Sequence, residues 1–579
     1  MKRHIIFLSF LCGLAVTSTA QPRSEREMQA IAANHFGIAA ARGPQQGTAL
    51  QKIAETPMVA AYALSTQQPT VFVSRDAAFA PVLGWTDSPI AADRDLPDGL
   101  QWWLNAITST MQQKLTDNDW HTIMHAPQAH DVGPLVTSRW AQDSPYNDLC
   151  PVADSWTKRR AQTGCVATAM AQVMNYHKYP AKGQGMGYYT MSGSSVKNKK
   201  RVSGEYNWAN MLDTYSSNST VKDETTDAVA TLMYDCGLAS GMAYAVQGSG
   251  ATSPNASSGL VYNMQYDSLA MHCHFRFFHN DEQWLQTIYD ELYHKRPLLY
   301  MSTDATYGAH AFVVDGCRAA DGYLHVNWGW SGEADGWFDF FNLTPQTAYQ
   351  QAYGMQGYDF SKDVASQSVI FGIMPPDGTE RPYESYWCLE DEETISVEGD
   401  SITLKLPTLI NYHFLTFTGL VGLCIQNVAT GKAPIQPFYY TAWGEDPIVP
   451  LTGWSAMTLG YGKNITDALD DGDYDLFLLS WYSSDIGKYD PQYVRYPAKN
   501  DGTENYNVWR MTKKDGHLTI NKTKVPTTNG IVPHVALPTQ PQTGRTYDLQ
   551  GRQMGVQRSM STTRHGQLLI KDGKKFITR

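Results

Sequence analysis

Cys165 follows Gly164 directly and precedes a run in which Val166, Met170, Val173 and His177 fall on one helical face. A thiol is a weak nucleophile until it ionises, and its free pKa is about 8.5. The N-terminus of a helix favours negative charge, so a thiol placed there is biased toward thiolate. A nearby imidazolium would complete the activation. The same context also fits an inert, buried cysteine. His310 stands in Tyr307-Gly-Ala-His310-Ala-Phe-Val-Val-Asp315, at the start of an apolar strand, from which its ring can project into a cleft. Downstream, Asn327-Trp328-Gly329-Trp330 offers a side chain or ring to orient that histidine and shield an ion pair from water. Gln142 can donate a side-chain N–H to an oxyanion, a contribution of roughly 3 kcal/mol to a barrier.

Other chemistries fit less well. His121 and His125 have helical spacing, but the residues between them lack the glutamate of a zinc-peptidase helix. His272-Cys273-His274 alternates, and on a strand the cysteine faces away from both histidines. The acidic run Asp467 to Asp475 lacks the spacing of a calcium loop. No CxxC pair marks a structural zinc. Neither a metal nor another cofactor is expected. The formal net charge of −11 argues against a nucleic-acid partner. The basic runs Lys158-Arg159-Arg160 and Lys199-Lys200-Arg201 read as solvated loops.

These residues need elements to position them, and the chain of 579 residues is long enough for several domains. Residues 1–20 read as a secretory signal: Lys2 and Arg3, a short apolar run, then Ser18-Thr19-Ala20. No later run is long enough to span a membrane. Seven cysteines remain after the signal, an odd number too sparse for a disulfide scaffold. Residues 21–131 hold a helix near Ser24–Phe36, strands around Val59 and Val71, and an amphipathic helix from Leu100 to Leu115. His125 to Pro134 reads as an exposed, cleavable linker. Residues 132–377 carry the candidate chemistry, with further helices at Thr225–Cys236 and Glu282–Leu292. Strands follow at Leu298–Met301, Ala309–Asp315, Tyr323–Trp328 and Gly336–Phe341. Residues 385–533 read as an all-β sandwich, with a tyrosine corner expected at Tyr474. A Pro-rich linker leads to a small β module over 540–579.

In chain order, Trp140-Ala-Gln142, Thr163-Gly-Cys165-Val-Ala-Thr-Ala, Tyr206-Asn-Trp208, Gly248-Ser249-Gly250, His310-Ala-Phe-Val-Val-Asp-Gly316 and His325-Val-Asn-Trp328-Gly-Trp330 resemble the streptopain family of papain-like cysteine peptidases. The separation of Cys165 and His310 also suits a papain-like pair. Pro81-Val-Leu-Gly-Trp85 and Trp102-Trp103-Leu104 resemble that family's inhibitory pro-segment. The resemblance implies an α+β architecture. A papain-like catalytic fold of two subdomains would be preceded by an α+β inhibitory pro-domain and followed by an all-β, immunoglobulin-like domain. It implies a secreted or cell-surface thiol endopeptidase acting on proteins and peptides, with its own pro-domain as intramolecular inhibitor. Cys165 would be the nucleophile, His310 the base, and Gln142 with the Cys165 backbone N–H the oxyanion donors. Trp328 would support His310, with Asn327 as the competing orienter. Ser249, Ala309 and Trp330 would line the substrate cleft, and Ala309 stands where glycine is usual. The last forty residues resemble C-terminal modules of exported bacterial proteins, some of which direct surface sorting. Two other readings remain: a peptidase-like binding protein without activity, and an amidase or transglutaminase using the same thioester chemistry. Oligomeric state is left open.

Overall fold

The computed structural model describes residues 21–37, 50–90, 96–117, 130–340 and 367–524, with short breaks inside the last two stretches, and four short strands between 546 and 577. The expected signal, His121, His125 and the linker as far as residue 129 lie outside the described residues. The chain forms two compact units.

The first unit comprises Met1–Ile123 with Glu333–Gln351. Helix α1 (Glu25–His35) starts at a capping box, in which Ser24 accepts from the Glu27 N–H and Glu27 accepts from the Ser24 N–H. Strands β1 (Gln51–Glu55), β2 (Val59–Ala63), β3 (Pro69–Ser74) and β4 (Val82–Pro89) form an antiparallel meander. Helix α2 (Asp98–Asp117) buries Leu100, Trp103, Ile107 and Met111, the face its periodicity predicts. Gly336–Phe338 (β12 in chain order), which sequence order groups with the catalytic block, pairs antiparallel with β4, Trp337 opposite Trp85. Trp103 explains this placement. Its indole lies edge-on to Phe72 and Phe338, and its Nε1–H donates to the Asp339 carbonyl at 3.0 Å.

The second unit comprises Met124–Gly332 and Ala352–Arg579. Helices α3 (Cys165–His177), α4 (Glu224–Ala239) and α5 (Ser253–Tyr262) pack together, with the small sheet β5 (Met186–Met191), β6 (Asn198–Arg201) and β7 (Ala243–Tyr244) beside α4. Apolar periodicity does not announce α5, because small residues let it approach its neighbour closely. A Cβ on Gly259 would stand 2.6 Å from the Ala239 carbonyl oxygen, at the end of α4. Strands β8 (His272–Phe275), β9 (Leu298–Asp304), β10 (Gly308–Cys317), β11 (Leu324–Asn327) and β13 (Gln367–Phe371) make an antiparallel sheet in the order β11-β10-β9-β13-β8. Helix α6 (Asp281–Tyr293) packs against β9 and β10, and α3 packs against both as well.

The described part of the later chain is mostly strand, with one short helix at Ile465–Ala468. One sheet holds β14 (Trp387–Leu389), β15 (Thr394–Glu398), β16 (Ser401–Asn411) and β19 (Thr452–Tyr461). The other holds β17 (Gly419–Asn427), β18 (Phe438–Ala442), β20 (Gly472–Tyr482), β21 (Gln492–Tyr493), β22 (Val508–Lys514) and β23 (His517–Lys524). The Tyr474 hydroxyl donates to the Asp470 carbonyl at 2.7 Å, closing the turn onto β20. The break between the two blocks in sequence is not a break in the core. One apolar cluster runs from α3 and α4 through β8 to Tyr386, Trp387 and Tyr412, where Phe275 and Phe278 meet the Tyr412 ring edge-on.

The linker expectation for residues 125–134 needs correcting at its C-terminal end. Val132 is fully buried, and its backbone exchanges two hydrogen bonds with Cys317, at 2.8 and 2.9 Å. His130, Asp131, Gly133 and Pro134 are exposed, so the protection is confined to the bonds that Val132 holds.

Candidate active site

Helix α3 starts at Gly164, whose φ of 88° is a conformation costly to residues with a Cβ. Space requires glycine as well: a Cβ there would lie 2.9 Å from the Ser249 carbonyl oxygen and 2.7 Å from the Met242 sulfur. The Thr163 N–H donates to the Gln142 carbonyl at 3.1 Å, which brings Gln142 beside the helix start. No side chain caps α3, and its first turn holds no acidic residue. The positive end of the helix is thus left uncompensated by side chains at the position of the Cys165 sulfur.

Burial separates Cys165 from the other thiols. It is half-buried, whereas Cys150, Cys236, Cys273, Cys317, Cys388 and Cys424 are buried, and all seven are free of disulfides. Burial pushes Cys150, Cys273 and Cys424 up to about 12 and Cys317 to about 11, so these thiols stay protonated and inert.

His310 lies near the start of β10 and is 4% exposed. Its Nε2 stands 3.1 Å from the Trp328 carbonyl oxygen. A carbonyl only accepts, so Nε2 carries the hydrogen in that bond. The buried Trp328 indole packs 4.8 Å from Phe312 and 6.4 Å from the His310 ring, shielding that side from water. The turn after Trp328 reaches α3, where a Cβ on Gly329 would stand 3.2 Å from Thr168 Cγ2. The Ser331 N–H donates to the Trp140 carbonyl at 3.0 Å, tying the same turn to the segment that carries Gln142.

The remaining expected residues fall as follows. The Asn327 carboxamide bonds Gln172, Ser138 and the Gly329 N–H. Ser249 is buried, and its hydroxyl bonds the Ala245 backbone, so its carbonyl is the part that abuts Gly164. Ala309 is exposed at the beginning of β10. Trp330 is half-buried, and its Nε1 has no partner among the described residues. Two supports escape sequence reasoning. Gln172 is one of two side-chain amides in α3, set in a run of small and apolar residues. The Asp315 carboxylate accepts from the Val136 N–H at 2.8 Å and pairs with His325 Nδ1 at 2.6 Å, fixing residues 135–138 against β10 and β11.

A second polar cluster lies on β8. His272 and His274 face the same side, as strand alternation requires, and meet Glu384 from the segment before β14. Nitrogen–oxygen distances are 2.7 Å for His272 and 2.7 and 2.8 Å for His274. Those are hydrogen-bond lengths; neighbouring ligands of a tetrahedral zinc would stand about 3.3 Å apart. Arg495 already donates to Glu384 Oε1 at 3.1 Å. The cluster is a hydrogen-bonded carboxylate network joining β8 to the segment before β14, with His274 Nδ1 left without a partner among the described residues.

A half-buried thiol at a helix start, on a helix packed against the strand that carries His310, suits a cysteine nucleophile and its base. The model of the peptidase C10 family matches residues 140–338. Streptopain of Streptococcus pyogenes serotype M28 is 31% identical over 330 residues, covering 53% of this chain and 78% of that protein. The thiol protease/hemagglutinin PrtT of Porphyromonas gingivalis is 30% identical over 323 residues, covering 53% of this chain and 36% of that one. A solved fragment of Prevotella intermedia prointerpain A is 30% identical with a TM-score of 0.48, covering 57% of this chain and all of that fragment. The chain belongs to the peptidase C10 family, that of streptopain, and is a cysteine-type endopeptidase.

Proposed function

We propose that the protein is an exported endopeptidase made as a precursor, in which Cys165 attacks peptide carbonyls and residues 21–131 inhibit it until removed. The observation that carries the assignment is the burial contrast: Cys165 is the one described thiol that is not buried, and it stands at an uncapped helix start. His310 Nδ1 takes the thiol proton, and the sulfur bonds to the substrate carbonyl carbon. The oxyanion is held by the Gln142 side chain and the Cys165 N–H. His310 returns the proton to the leaving amine as the C–N bond breaks, leaving an acyl thioester. Water then attacks, His310 takes its proton, and the acid leaves as the thiol is restored. Trp328 supports His310 through its carbonyl and its ring, while Ser249, Ala309 and Trp330 line the substrate cleft. The two β sheets and the Tyr474 corner favour an immunoglobulin-like accessory domain. No described helix is long and apolar enough to cross a membrane.

A thiol-directed epoxide, mapped by mass spectrometry, is expected to label Cys165 alone; labelling of a different cysteine with Cys165 untouched would refute the assignment. The precursor is expected to gain activity on cleavage before residue 130, since Val132 is held in the sheet of the second unit. N-terminal sequencing over time tests this, and full activity with residues 21–131 still attached would sink the precursor reading.

A further inference from the structure

Gln172 lies seven residues after Cys165, two turns along the same helix and on the same face. It is fully buried. Its carboxamide makes a reciprocal pair with Asn327: Gln172 Nε2 donates to Asn327 Oδ1 at 3.0 Å, and Asn327 Nδ2 donates to Gln172 Oε1 at 3.2 Å. Gln172 Oε1 also accepts from the Trp140 N–H at 3.2 Å and from the Ser138 hydroxyl at 3.3 Å. Asn327 Nδ2 donates to the Ser138 carbonyl at 2.9 Å, and Asn327 Oδ1 accepts from the Gly329 N–H at 3.1 Å.

These bonds join three segments that sequence order keeps far apart. The first runs through Trp140 to Gln142. The second is α3 with Cys165. The third is the turn from Asn327 to Gly329, whose Trp328 carbonyl faces His310 Nε2. Each segment brings one group of the proposed mechanism, and the Gln172–Asn327 pair is a buried side-chain hub bonded to all three. The carboxamide of Asn327 is committed to this hub, so its influence on His310 runs through the backbone of its own turn.

We propose that Gln172 is a positioning residue for the peptidase reaction: through Asn327 and Trp140 it fixes the mutual placement of the thiol, the oxyanion donor and the carbonyl behind His310. This inference rests on the roles proposed for Cys165, His310 and Gln142. A leucine at 172 would keep most of the volume while leaving the Trp140 N–H and half of the Asn327 amide unpaired in the core. Catalysis responds steeply to such displacement, because shifts near 1 Å cost up to about 100-fold in rate. A residue serving only packing would change stability and leave the chemistry alone.

The test uses the processed enzyme, a chromogenic peptide substrate, and the pH dependence of Cys165 alkylation by iodoacetamide. Gln172→Leu is expected to lower kcat about tenfold or more, to change KM less than about twofold, and to displace the alkylation profile along the pH axis. Gln172→Glu keeps acceptors for Trp140, Ser138 and the Asn327 Nδ2–H but turns an oxygen toward Asn327 Oδ1, so it is expected to recover only part of the loss. Unchanged kcat and profile in Gln172→Leu would overturn the proposal, and so would a Glu variant no better than Leu. If the leucine variant does not fold, Gln172→Met, which also removes the amide, is read in its place: a lowered kcat with a displaced profile supports positioning, and an unchanged kcat and profile overturn it. Failure here with Cys165→Ala inactive would leave the nucleophile assignment standing, whereas an active Cys165→Ala would remove both.

Discussion

Two clusters in the second unit use the same side-chain chemistry to opposite ends. In the candidate active site the His310 imidazole gives Nε2 to a carbonyl, while the Cys165 thiol is half-buried at a helix start that no side chain caps. Around Glu384 two imidazoles and a guanidinium crowd one carboxylate, and aromatic rings close over them, Tyr386 lying 4.6 Å from His274 at an interplanar angle of 7°. The first cluster sets a half-buried thiol at the start of a helix, and the second spends its carboxylate on three partners. On the proposed roles, reactivity follows partial burial and helix position rather than the number of titratable groups gathered. Burial pushes His274 down to about 4, so its ring is neutral at pH 7 and lends geometry rather than charge.

The largest effect that tests this contrast is loss of the thiol. Cys165→Ala is expected to lower kcat at least about 10⁴-fold while leaving the unfolding midpoint nearly unchanged. Active-site titration and urea unfolding of the same preparation read both quantities. An activity loss that tracked a stability loss would erase the distinction between the clusters.

Glu384→Ala is the converse experiment. It leaves two histidines and Arg495 without their shared carboxylate in a largely buried seam, an insult of about 3–5 kcal/mol. Stability should fall by that order, while the folded fraction keeps kcat within about twofold of the wild type. The midpoint of urea unfolding and initial rates well below that midpoint would show it. A collapse of kcat in the folded fraction would mean that the seam reaches the active site.

The candidate cluster could be proposed from sequence because its pieces are local: a glycine before the cysteine, a histidine opening an apolar strand, a tryptophan turn. Each announces itself within a few residues. The supports behind them were not legible. Gln172 reads as one amide in a helix until the fold brings Asn327 and Trp140 to it. Glu384 lies 110 residues from His274 in the chain, and strand alternation shows only that the histidines share a side, not what meets them. Helix α5 is hidden by its small residues, which mark close packing rather than amphipathicity. Gly336–Phe338 follows the catalytic strands in sequence yet pairs with β4, because Trp103 and Phe72 offer its aromatic side chain a core. Patterns of period two and 3.6 report which face is apolar; they do not report the partner.

A smaller effect concerns pH. His177, at the end of α3, is pushed down to about 4, first by burial and then by the nearby Arg296, against a hydrogen bond with the Ile373 backbone that favours the charged form. Tyr176 and Tyr266 lie edge-on to its ring. In the unfolded chain the ring titrates near 6.5. Between about pH 6.5 and 4 the unfolded state binds the extra proton, so this contribution is full above 6.5 and is lost as pH falls toward 4. His177→Gln should flatten the decline of unfolding free energy across that window. An equally steep decline in the variant would assign the acid sensitivity elsewhere, with the histidines around Glu384 the next groups to test.

The smallest effect lies in the β sandwich, at Tyr474. Its ring is 1% exposed, and its hydroxyl makes one neutral bond, 2.7 Å long, to the Asp470 carbonyl. Asp470 itself is exposed, so water can serve its carbonyl when the hydroxyl is gone. Tyr474→Phe keeps the buried ring and removes only that bond, so the cost should be about 1 kcal/mol, with an unchanged urea m-value. A loss of 3 kcal/mol or more would show that the corner organises the sandwich as a network rather than closing one turn. It would then belong with Glu384 among the sites where a single group holds several partners. A loss near 1 kcal/mol keeps it apart from both clusters, as a bond whose removal leaves nothing buried unpaired.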